Sequence, residues 1–79
     1  MNKQIYIIQQ YHDFHPITMV PIAATYTAEN IEQILDEYTR GTIIKFIPHH
    51  GIDGLHGVYY YLSETMDEVK FYVYKTEMK

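Results

Sequence analysis

The chain has 79 residues, no cysteine and a formal net charge of −4. That length accommodates a single domain with one core, and a domain so small hides only about 60% of its unfolded surface. Without cysteine there is no disulfide framework and no thiolate zinc site, and an acidic balance without a basic stripe excludes a dedicated duplex-DNA binder.

The first residues, Met1-Asn2-Lys3-Gln4, run straight into alternation with no apolar leader, and no apolar run approaches the about 20 residues of a membrane span. A cytoplasmic protein with no membrane contact is the expectation. Residues 4–10 set Ile5 and Ile7 against Tyr6 and Ile8, the period of a strand. A turn is predicted over residues 11–16, which Asp13 and Pro16 punctuate. Residues 17–24 read as a second strand, and Pro21 within it lacks a donor, which predicts an edge or bulged position. Residues 27–40 are the helical stretch. Thr27 is the expected N-cap, Glu29 complements the dipole and Gly41 is the expected C-cap. Ala28, Ile31, Ile34, Leu35 and Tyr38 share one face of it.

Residues 42–47 are rich in β-branched side chains and predict a third strand that Pro48 stops. A glycine-rich loop over 49–57 follows. Residues 58–62 predict a fourth strand, 63–68 a polar turn, 69–75 a fifth strand and 76–79 a polar tail. The order β-β-α-β-β-β predicts an α+β domain over residues 1–79, a mostly antiparallel sheet of four or five strands with the helix on one face. In this reading Ile5, Ile7, Ile44, Phe46, Val58, Tyr60, Leu62, Val69, Phe71 and Val73 meet the helix. Tyr6, Ile8, Lys45, Tyr59, Tyr61, Lys70, Tyr72 and Tyr74 fall on the other, uncovered face.

Five features bear on chemistry. His12 and His15 share one turn, and His49, His50, Asp53 and His56 share one loop. Imidazole and carboxylate are zinc ligands, so these six are the candidate metal set, whether the turn and loop meet at one end of the sheet or not. The alternative is ordinary histidines in polar loops. The run H-H-x-x-D-x-x-H has the wrong spacing for a metallo-β-lactamase-like hydrolase and sits in too short a chain. A His–Asp pair is the raw material of acid–base catalysis, but no nucleophile elbow or Ser-x-x-Lys surrounds Ser63 or the threonines. A small His- or metal-dependent hydrolase of phosphate esters is the alternative to a non-enzyme. Gly51, Gly54 and Gly57 precede a strand rather than a helix, which is not the context of a phosphate loop.

Tyr59, Tyr61, Tyr72 and Tyr74 form a candidate partner-binding face, since tyrosine is enriched at interfaces and stacks on bases. The lysines 70, 75 and 79 nearby leave single-stranded nucleic acid as a minor possibility. Glu29, Glu32, Asp36 and Glu37 form an acidic helix face, either solvated or matched to a basic partner. In size and texture, acidic, Tyr- and Ile-rich and without an enzyme motif, the whole chain resembles small phage and mobile-element inhibitors of host defence such as anti-CRISPR proteins. That resemblance implies stoichiometric binding to a larger host protein or nuclease complex and, in some members, a structural metal. It rests on no motif and transfers no residue. A homodimer or a homo-oligomeric regulatory module is the further alternative.

Overall fold

The computed structural model describes residues 3–12, 18–49 and 54–78. The elements are β1 (Lys3–His12), β2 (Thr18–Thr25), α1 (Glu29–Thr39), β3 (Thr42–Pro48), β4 (Leu55–Leu62) and β5 (Glu68–Met78). The strands form one sheet in the order β2-β1-β5-β4-β3, with every neighbouring pair antiparallel. The α+β architecture and the β-β-α-β-β-β order are therefore as read from the sequence. β2 and β3 run in the same direction at opposite edges, so α1 crosses the sheet to join them.

Several boundaries differ from expectation. Residues 76–78 continue β5 instead of forming a tail, because Thr76, Glu77 and Met78 pair with Ile5, Gln4 and Lys3. Leu55, His56 and Gly57 belong to β4 instead of the loop. The helix is shorter than residues 27–40. Ala28 holds the N-cap position without a side-chain bond. Thr27 does not cap; its N–H donates to Thr25 Oγ1 at 3.4 Å. At the other end Arg40, not Gly41, takes the left-handed conformation, and its N–H donates to Asp36 O at 2.8 Å. Gly41 serves a different purpose, since a Cβ there would collide with the Leu62 carbonyl. That close approach lets Thr42 enter the ladder opposite Leu62.

The core lies between α1 and one sheet face. Ile31 and Leu35 from the helix meet Ile8, Tyr59, Tyr61, Phe71 and Val73, all buried. Phe46 stacks on Tyr59 at 4.4 Å, while Tyr38 and Tyr61 meet the Phe71 ring edge-on at 5.9 and 6.0 Å. Pro21 lies on an edge strand beside a register shift, as its missing donor requires.

The face assignment needs correction. Phe46, Val69, Phe71 and Val73 do pack on the helix side. Ile5, Ile7, Val58, Tyr60 and Leu62 instead face away, and Tyr6, Ile8, Tyr59 and Tyr61 take their place. One short helix offers Ala28, Ile31, Ile34 and Leu35, so the sheet must supply long side chains to fill a layer about 10 Å deep. Tyrosine fills it and still brings its hydroxyl to the rim. Register shifts after Ile43 in β3 and after Leu55 in β4 add one residue each. The first brings Ile43 and Phe46 to one side and leaves Ile44 exposed, which strict alternation does not foresee.

Candidate functional site

α1 presents Glu29, Glu32, Asp36 and Glu37 to solvent, and no basic residue occupies its last turn. Asp36 and Glu37 stand near the negative end of the helix dipole, and Glu32 and Asp36 are like charges four residues apart. Each placement opposes helix stability by roughly 0.2–1 kcal/mol. Beneath them the Tyr61 hydroxyl donates to Glu32 O at 3.4 Å, long for such a donor. Burial first, then the neighbouring Asp36 carboxylate and the charge of Glu32, hold the Tyr61 hydroxyl well above the ordinary phenol range.

The opposite sheet face has no covering element among the described residues. Register places Met19, Tyr11, Lys70, Tyr60 and Lys45 in one row across all five strands. The Lys70 ammonium lies 5.4 Å from the Tyr11 ring and 5.7 Å from the Tyr60 ring. Lys45 lies 4.7 Å over Tyr60. In the next row Tyr72 stands between Gln9 and Val58, and its ring is 5.8 Å from Tyr11. Tyr74 pairs with Ile7 and Leu55 beyond it. The β1 end of the first row opens into a cleft lined in part by Gln10, His12, Asp67 and Glu68.

No protein-family model, curated protein or solved structure matches the chain.

The expected tyrosine face is divided by the fold. Tyr59 and Tyr61 are buried under α1, whereas Tyr72 and Tyr74 remain half-buried on the open face. Lys45 and Lys70 lie there as expected, and Tyr11 and Tyr60, which the sequence pattern put in a turn and on the helix side, join them. Only the cross-strand register brings these four together. The acidic set stays intact on one helix.

The six candidate metal ligands do not form one site. His12 ends β1 next to the β4–β5 turn, whereas His49 and His56 face each other across the β3–β4 loop, with His49 N–H donating to His56 O at 3.3 Å. Register separates the two ends by about 15 Å along the strands, against metal–nitrogen bonds of about 2 Å. His15, His50 and Asp53 lie outside the described residues. Among the described residues no group of three or more His, Asp or Glu side chains converges on a metal position. His56 instead packs its ring 5.1 Å from Tyr6 and 5.6 Å from Phe46. Burial, and secondarily the charge of Lys75, lowers its pKa. Among the described residues no helix is long and apolar enough to cross a membrane.

Proposed function

We propose that the chain is a non-catalytic binding protein that inhibits a larger host protein, a nuclease complex of host defence, by stoichiometric docking through the acidic face of α1. The observation that carries this reading is the set of four exposed carboxylates on one short helix, placed partly against the helix's own stability and without a basic residue in its last turn. A nuclease complex offers a basic channel for nucleic acid, the complementary surface for such a helix. The size and composition that resemble small host-defence inhibitors point the same way.

Capture from a bacterial lysate, followed by titration of the captured enzyme, tests it. Inhibition should saturate near one equivalent. The double variant Glu32→Lys, Glu37→Lys should slow association and flatten its salt dependence. Inhibition by trace amounts that grows with time would show a catalyst and overturn the reading.

A further inference from the structure

We propose that the open sheet face binds single-stranded nucleic acid along the row Tyr11–Lys70–Tyr60–Lys45. This site lies on the face away from α1 and is independent of docking through the helix. Its chemistry alternates an aromatic ring and an ammonium on four adjacent strands. Strand spacing puts the two rings about 10 Å apart and the two ammoniums about 10 Å apart. Rings on a sheet surface offer stacking to any base, and lysines between them offer a partner to the intervening phosphates. Tyr72, beside Tyr11, widens the stacking surface by one ring.

The net charge of −4 does not oppose this. The carboxylates of α1 lie on the other layer of a molecule whose shortest dimension is 20 Å, about two screening lengths at physiological salt. Among the described residues the carboxylate near the row on the open face is Glu68, two residues before Lys70 and paired with Leu62. With Asp67 it marks the cleft end of the row. Duplex offers no base faces to the rings and is excluded by the same geometry.

The test is fluorescence anisotropy of a labelled oligothymidylate of about ten nucleotides, titrated with the whole chain across a range of salt. Binding is expected with a log–log salt slope of about −1.4, the value for two phosphates neutralised on a single strand. Lys45→Gln with Lys70→Gln should bring that slope close to zero in a chain that still folds. Tyr60→Ala and Tyr11→Ala should each weaken binding about five-fold or more, and Tyr60→Phe should restore it. Three results would overturn the proposal. One is no anisotropy change in low salt. Another is equal affinity for duplex or for polyglutamate, which would mark a site for any polyanion or for an acidic protein. The third is self-association through this face that the strand does not reverse. None of these depends on a captured enzyme, so this proposal and docking through α1 fail separately.

Discussion

Met66 sits in the β4–β5 turn with φ at 67°, and its side chain is 72% exposed. The turn is built around it, with Met66 N–H donating to Ser63 O and Asp67 N–H donating to Ser63 Oγ, at 2.9 and 3.2 Å. A side chain in left-handed backbone is unfavourable by about 1–2 kcal/mol, and this one has little packing to lose. Met66→Gly should therefore raise stability by up to about 1 kcal/mol in chemical denaturation. His56 makes a second prediction. Its folded pKa lies below 6.5 because of burial and Lys75, so the unfolded chain binds the proton more readily. Stability from this group is complete above pH 6.5 and declines as pH falls below that value, levelling once folded His56 is itself protonated. A urea midpoint that held constant through this window would refute it. Tyr61 acts in the opposite sense. Its raised pKa keeps stability intact below pH 10.0 and loses it at higher pH, and Tyr61→Phe should flatten that alkaline limb.

Within α1 the two roles of the helix separate by face. Ile31 and Leu35 are fully buried, while Ile34 is only partly so. Ile31→Ala and Leu35→Ala should each destabilise by about 2–5 kcal/mol, and Ile34→Ala by less. On the outer face Glu37→Lys should stabilise the fold by about 0.3–1 kcal/mol while weakening the proposed partner complex. Effects of opposite sign on folding and binding distinguish a functional carboxylate from a merely solvated one, whose change would leave binding unmoved. The helix was readable because Ala28, Ile31, Ile34, Leu35 and Tyr38 repeat at its own period. The strands were readable as strands, but their inward sides were not. In residues 5–8 and 58–62 both alternating sets are apolar, so the period alone cannot say which one meets α1. The extra residues Ile44 and His56 then shift the phase within β3 and β4. The row on the open face depends on pairing between residues up to 59 positions apart, Tyr11 with Lys70, which no local pattern encodes.

For the molecule as a whole, the two ends of the sheet act separately. If a zinc-like ion binds at the loop end, its stabilising effect should survive His12→Gln and disappear in His56→Gln. Thermal shift with added zinc and with chelator reads this directly, and a loss in both variants would contradict the separation of the two ends. The strand order has another consequence, for how the protein is made. β5 follows the other described elements in sequence, yet it lies in the middle of the sheet, between β1 and β4. A nascent chain that has emerged through β4 holds two separate hairpins, β1–β2 and β3–β4, and a helix with no floor beneath it. Neither hairpin is stable alone in water. Closure of the sheet therefore waits until β5 is available to both hairpins. Folding is then a single event that inserts one strand between two waiting edges. Chains broken off before residue 68 are left with both edges open, the state most exposed to proteolysis, so that only chains extending through β5 escape it.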